Sequence, residues 1–186
     1  MLILCSSSST RANLLRKAGI SFVQKSCDFN EDQIKTTDPY KFVIEASYGK
    51  FKECIRCFKD EDVVAADTVV SDGERILRKA KNEVEAKKML LAQSGKEIRI
   101  ITSMWIRFEG MVFGRVDETV YKFREFDKKD LEEYLKSKEW MGKAGACMVE
   151  GFCKKYIEDV KGYESTAMGL CVEELVRIIG GKYVHK

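Results

Sequence analysis

The chain is 186 residues long, 45% hydrophobic and 34% charged, an ordinary globular composition with enough length to bury a core. Its 33 basic and 30 acidic residues are well mixed, and a net charge of +3 gives no nucleic-acid or membrane footprint. No apolar run approaches the ~20 residues that span a bilayer, and Leu2-Ile3-Leu4 is too short for a signal-peptide core, so a cytoplasmic protein folding as one domain over 1–186 is expected.

Histidine usage narrows the chemistry. The single histidine, His185, is next to the last residue, so serine–histidine triads and histidine metal sites are not expected. Acid–base or metal chemistry must then rest on carboxylates, lysines and water. The seven cysteines are odd in number, scattered, and mostly set among apolar residues, which predicts reduced, packed thiols. Cys54-Ile55-Arg56-Cys57 is a lone C-x-x-C with neither a second pair nor a histidine near it in sequence, so packing is the expected role.

Leu2-Ile3-Leu4-Cys5 reads as a short apolar strand, followed by Ser6-Ser7-Ser8-Ser9 and a helix with Arg11, Leu14, Leu15 and Ala18 on one face, ended by Gly19. The serines could simply cap the helix, but four in succession also make an anion site of hydroxyls and free N–H groups. Ile20-Ser21-Phe22-Val23 predicts a second strand. Asp28, Glu31 and Asp32 form an acidic loop, able to ligate a cation or to stay solvated. Asp38-Pro39 starts a helix with Val43, Ala46, Ser47 and Lys50 on one face, so the Lys50 ammonium must snorkel out or meet an anion.

Val63 to Val70 has the content of a strand buried on both faces, interrupted by Asp67. A carboxylate there either ends the strand and caps the turn or is met by a metal, a cation or a donor. A turn at Ser71 to Glu74 leads to a return strand, Arg75 to Lys79, and Asn82 to Glu85 open a helix in capping-box style. Glu97 to Phe108 and Met111 to Phe126, flanking Glu109-Gly110, predict a long antiparallel hairpin. Asp127 caps a helix over Lys128 to Ser137, and Phe152 to Val160 is expected to continue the sheet. A loop at Gly162 to Gly169 precedes a last helix with Val172, Leu175, Val176 and Ile179 on one stripe. Early alternation of strands and helices with a late hairpin predicts an α/β fold around a mixed sheet.

Ser6 to Ser9 with Arg11, Glu31, Lys50, Asp67 and Lys79 combine cations and hydroxyls that suit an oligophosphate with two carboxylates that suit a divalent metal. As an ordered set they resemble the Maf family of nucleoside triphosphate pyrophosphatases, also called septum-formation inhibitors. The resemblance runs from Leu2 to the final helix through Ser6-Ser7-Ser8-Ser9-Thr10-Arg11, Glu31, Lys50, Ala66-Asp67-Thr68-Val69-Val70, Lys79, Ser94-Gly95, Thr102, Lys143-Ala144-Gly145, Glu150-Gly151 and Gly169-Leu170. It implies a Maf/ITPase-like fold: an elongated mixed sheet with flanking helices and two lobes around a central cleft, usually as a homodimer. It also implies hydrolysis of nucleoside triphosphates, modified or non-standard ones included, to the monophosphate and diphosphate. A divalent cation, Mg²⁺ or Mn²⁺, would assist, and a link to cell-division arrest and nucleotide-pool cleaning would follow.

In that reading Asp67 is catalytic, Glu31 and Asp67 hold metal or water, and Ser6, Ser7, Ser8, Arg11, Lys50 and Lys79 bind phosphate. The base-selecting positions are Thr10, Thr68 and Glu150. The branch acting on dTTP and UTP has Arg, Thr and Gln there, and the branch acting on 7-methyl-GTP has Trp, Gln and Glu; this chain matches neither. Other departures are Ser9-Thr10-Arg11 in place of Pro-Arg-Arg, Arg78-Lys79-Ala80 in place of Gly-Lys-Pro, and Gly169-Leu170-Cys171 in place of Gly-Leu-Pro. Ile98 stands where histidine is frequent, and Cys147 where tyrosine is. The lost arginine keeps a rival reading open, a regulatory nucleotide-binding protein of septum formation with little turnover.

Overall fold

Two apolar strands set the architecture. In the computed structural model, which describes residues 1–184, β1 (Leu2–Cys5) and β3 (Asp62–Ser71) pair in parallel with Leu2 opposite Asp62 and Leu4 opposite Val64. Their side chains alternate between the faces of the sheet. Leu2, Leu4, Val64 and Ala66 face one core, which α1 (Ser9–Lys17) and α6 (Val172–Ile179) complete with Ala12, Leu15, Leu175 and Ile179. Ile3, Cys5, Val63 and Ala65 face the other, which α2 (Pro39–Cys57) covers with Phe51 and Cys54. Burial on both faces is why these strands read as continuous apolar runs rather than alternating ones.

The remaining strands are β2 (Val23–Lys25), β4 (Ile76–Leu77), β5 (Glu97–Phe108), β6 (Met111–Phe123) and β7 (Ile157–Lys161). The seven form one mixed sheet in the order β2-β1-β3-β5-β6-β7, with β4 on β3. The other helices are α3 (Glu83–Gln93), α4 (Lys128–Ser137) and the single turn α5 (Glu164–Ala167). No helix among the described residues is long and apolar enough to cross a membrane. The chain makes two compact units. One comprises Met1–Thr68, Ile101–Asp117 and the described residues from Tyr163 on; the other comprises Val69–Ile100 and Glu118–Gly162.

β6 ends at Phe123 rather than Phe126, the expected loop Gly162 to Gly169 contains α5, and three further segments depart from expectation. The second strand begins at Val23, not Ile20, because Ile20 is buried in the α1 core and bridges Val184 instead. The return strand is only Ile76–Leu77, followed by an isolated bridge from Lys79 to Ala144. Phe152–Tyr156 is a 3₁₀-helix and the strand starts at Ile157. Cys153 and Tyr156 are its buried residues, at a helical spacing of three, while Tyr156 packs on Phe126 and Phe152 stacks on Tyr134. His185 lies outside the described residues.

Candidate active site

The site of the first unit forms where the parallel strands β1 and β3 end, the edge at which open α/β sheets bind ligands. Alternation along β3 sends its neighbours Asp67 and Thr68 to opposite faces. Asp67 continues the Val63-Ala65 row toward α2, and Thr68 continues the Val64-Ala66 row toward α1. One strand therefore supplies two different functional contacts.

On the α2 face, Lys50 Nζ lies 2.5 Å from Asp67 Oδ1 and 2.6 Å from Glu31 Oε1. Lys50 arrives there because Asp38 caps α2, accepting from the Lys41 N–H at 2.9 Å, Pro39 starts it, and Phe42, Val43, Ala46, Ser47, Phe51 and Cys54 bury one stripe. Glu31 arrives through a close approach. A Cβ on Gly49 would sit 2.2 Å from the Phe29 ring, so the missing side chain lets Phe29 seat on α2 and hold the acidic loop beside Lys50. Burial pushes the Asp67 carboxyl up, Lys50 and Arg11 pull it back, Glu31 pushes it up again, and the net is above the ordinary carboxylate value. Burial opposes the Lys50 charge, but Asp67 and Glu31 outweigh it and raise that ammonium.

On the α1 face, Arg11 is clamped at three points. Its Nε donates to the Gly169 carbonyl at 2.7 Å, Nη1 to Ser6 Oγ at 3.2 Å and Nη2 to Thr68 Oγ1 at 3.2 Å. Thr102 Oγ1 donates its one hydrogen to the Thr166 carbonyl at 2.7 Å, so in the 2.8 Å contact between the threonines Thr68 is the donor. Burial presses down on the Arg11 charge, countered by attraction to Asp67 and then Glu31. Gly169 has φ +108°, and a Cβ there would come within 3.3 Å of Arg11 Nε and Thr68 Oγ1, so glycine suits both the backbone and the clamp.

Between these faces lies the serine turn. Ser6 Oγ also accepts from the Ser8 N–H at 3.2 Å, and Ser8 caps α1 by accepting from the Arg11 N–H at 3.3 Å. Ser7 and Ser9 are exposed, and Thr10 is half-buried in the first turn of α1. The serines thus act as a cap and still present hydroxyls and helix N–H groups at the strand ends.

Lys79 and Glu150 belong to the second unit. Lys79 is exposed and its backbone bridges Ala144, while Lys143 Nζ lies 3.3 Å from Glu150 Oε1. This loop is fixed from beneath: Gln93 Nε2 donates to the Gly145 carbonyl at 2.6 Å and Tyr134 OH to the Ala146 carbonyl at 3.1 Å. Within the first unit the structure brings together Ser6, Ser8, Arg11 and Thr68 and, around Asp67 on the other face of β3, Lys50 of α2 and Glu31 of the acidic loop; within the second it pairs Lys143 with Glu150 and bridges the Lys79 backbone to the neighbouring Ala144. Sequence reasoning had not singled out the partners Thr102, Gly169 and Lys143 as site residues. Thr102 and Ser103, two polar residues within the buried run Ile100 to Met104, were the available signal.

An α/β protein with clustered carboxylates, cations and hydroxyls at its parallel strand ends belongs to the class that handles phosphorylated ligands. The sequence model of the family described as Maf-like protein matches residues 1–181, and the chain belongs to that family. It is 50% identical over 181 residues to a protein of a Nitratiruptor species named nucleoside triphosphate pyrophosphatase, covering 96% of this chain and 98% of that one. Proteins of the same name from Helicobacter pylori and Campylobacter jejuni are 40% and 37% identical. The shares covered are 96% of this chain and 94% of the relative in the first case, 94% and 98% in the second.

Proposed function

We propose that the chain is a nucleoside triphosphate pyrophosphatase, cleaving its substrate to the nucleoside monophosphate and diphosphate. The observation that carries this reading is Asp67, a buried carboxylate with a raised pKa, set between Lys50 and the Arg11–serine turn at the strand ends. Relatives bearing that activity in their names align over nearly the whole chain.

Arg11, Lys50 and Lys79 receive the triphosphate charge, and the hydroxyls of Ser6, Ser7 and Ser8 with the N–H groups opening α1 donate to its oxygens. Asp67 orients a water and accepts its proton as the water oxygen bonds to the α-phosphorus. The bond from that phosphorus to the α–β bridging oxygen breaks, and diphosphate leaves with that oxygen. A carboxyl held above its ordinary value is the better base for this step. Glu31 keeps Lys50 and Asp67 in register. Two hard carboxylates meeting one ammonium also fit Mg²⁺ or Mn²⁺, so Glu31 and Asp67 would hold such an ion. When bound, it supplies charge neutralisation and acidity to a coordinated water.

Thr10, Thr68 and Glu150 are assigned to base selection, with Glu150 able to accept from a base amino or imino group. Residues 1–186 are assigned to one catalytic domain, as the family implies, and the family also implies a cytoplasmic homodimer. Product analysis with a panel of standard and modified nucleoside triphosphates, Mg²⁺ or Mn²⁺ and ¹⁸O-labelled water tests the reaction. Label in the monophosphate and release of diphosphate are expected. Label in the diphosphate would oppose attack at the α-phosphorus, and absence of turnover with every substrate would favour the regulatory nucleotide-binding reading.

A further inference from the structure

Three of the seven cysteines, Cys5, Cys27 and Cys54, bring their sulfurs together in the first unit, and a fourth, Cys57, stands one helical turn beyond Cys54. Cys5 ends β1, Cys27 follows β2, and Cys54 and Cys57 occupy the last turns of α2. Cys27 is the hub. Its sulfur lies 3.7 Å from that of Cys5 and 3.3 Å from that of Cys54, and Cys57 is within its electrostatic reach. Cys5 and Cys54 stand as a disulfide pair with Cα atoms 6.4 Å apart. The expectation of scattered, merely packed thiols is corrected at this point: Cys5 and Cys27 are the second pair that the lone C-x-x-C lacked, brought to it by the sheet and α2.

We propose that Cys5, Cys27, Cys54 and Cys57 form a thiolate site for a soft divalent cation of the Zn²⁺ class. A disulfide uses two sulfurs and leaves Cys27 and Cys57 without a purpose, whereas a tetrahedral ion uses four. Zinc–sulfur bonds of about 2.3 Å place ligand sulfurs about 3.8 Å apart, close to the separations around Cys27. The surroundings agree. Ile3, Phe51, Val63, Ala65, Ile55 and Phe58 wall the buried side, where a dry shell strengthens thiolate–metal bonds. Half-buried Cys27 and exposed Cys57 open the other side for entry. Asp28 and Glu53 lie within electrostatic reach of Cys27 and favour a cation. Each thiol gives up its proton on binding, and a closed Cys5–Cys54 pair first takes two electrons and two protons from a thiol or phosphine reductant. The site is distinct from the carboxylate pair of Glu31 and Asp67, whose oxygen donors suit harder ions.

Full-length protein, reduced with a phosphine and stripped by a chelator, is titrated with Co²⁺ as the spectroscopic probe and then with Zn²⁺. A thiolate-to-cobalt charge-transfer band that saturates at one ion per chain and is abolished by Zn²⁺ is expected. Cys27→Ser and Cys57→Ser should weaken Co²⁺ binding by more than the roughly 10- to 100-fold that losing a mere supporting group costs. Circular dichroism confirms that these accessible positions still fold. Cys147→Ser, in a separate thiol contact with Cys153, and Asp67→Asn should keep the band. Absence of a thiolate band in the reduced wild-type chain overturns the proposal, as does an undiminished band in both Cys27→Ser and Cys57→Ser. A band lost in Cys147→Ser would overturn it too.

Discussion

Asp67 and Thr68 divide the chemistry between two adjacent residues, and each has its own test. Asp67→Asn keeps the shape and a partner for Lys50 but removes the base, so kcat should fall roughly 10²- to 10⁴-fold with the fold intact by circular dichroism. Undiminished turnover would remove Asp67 from the mechanism. The same carboxyl sets the pH dependence. Asp67 must be unprotonated to accept the water proton, and its pKa is raised, so activity is lost as pH falls through that raised value. The acid limb of kcat/KM should have its midpoint above the ordinary carboxylate value of 3.8, and a midpoint at or below it would contradict the raised pKa. Thr68→Val removes the hydroxyl that accepts from Arg11 and donates to Thr102, at a cost of about 1–3 kcal/mol for the groups left unpaired. A loosened Arg11 should raise KM more than it lowers kcat in steady-state kinetics. Asp67, Lys50 and Arg11 were legible because each puts a charge where the pattern calls for an apolar residue. Thr102 and Gly169 were legible only as part of the family resemblance and not as site residues, since threonine in a strand is ordinary and a contribution made through the Gly169 carbonyl leaves no side-chain signature.

Helix ends and loop seats carry the next level of organisation. Ser8 caps α1 and also adjoins Ser6 in the turn. Ser8→Ala should cost about 1 kcal/mol, or roughly 2–4 °C in Tm for a chain of this size, read by thermal unfolding. Gly49→Ala sets two effects against each other. Alanine favours the helix by about 1 kcal/mol, but its Cβ displaces the Phe29 ring that holds the acidic loop. Near-neutral Tm with a clear loss of activity is expected, because Glu31 is drawn away from Lys50; full activity would show that Phe29 does not position Glu31. Most elements were legible at this scale because their caps are local: Asp38-Pro39, Asn82 and Asp127 each announce a helix that the structure contains. The misplacements came from tertiary packing. Ile20 is claimed by the α1 core, and the 152–156 segment coils because its buried residues fall at helical spacing.

For the molecule as a whole, the base-selecting residue proposed in the second unit is Glu150. The Glu150–Lys143 pair is partly exposed, with side-chain exposures of 30% and 33%, so breaking it should cost under about 1 kcal/mol. Glu150→Gln is therefore expected to leave Tm nearly unchanged while altering the ranking of nucleotides by kcat/KM. An unchanged ranking would take Glu150 out of the specificity account. The α/β class and the mixed sheet were legible from the order of elements. The pairing of distant cysteines was not, because Cys5, Cys27 and Cys54 become neighbours only once β1, β2 and α2 are packed.

The two-residue period of β3 also fixes how its sequence can change in length. One residue inserted between Val63 and Ala66 would turn Thr68 and Asp67 each to the other's face, setting a hydroxyl against Lys50 and a carboxylate against Arg11. Every individual side chain would survive, yet neither contact would. Length variation among descendants of this sequence should thus collect before Asp62 or after Ser71, and the eight residues from Val63 to Val70 should be inherited as an indivisible block.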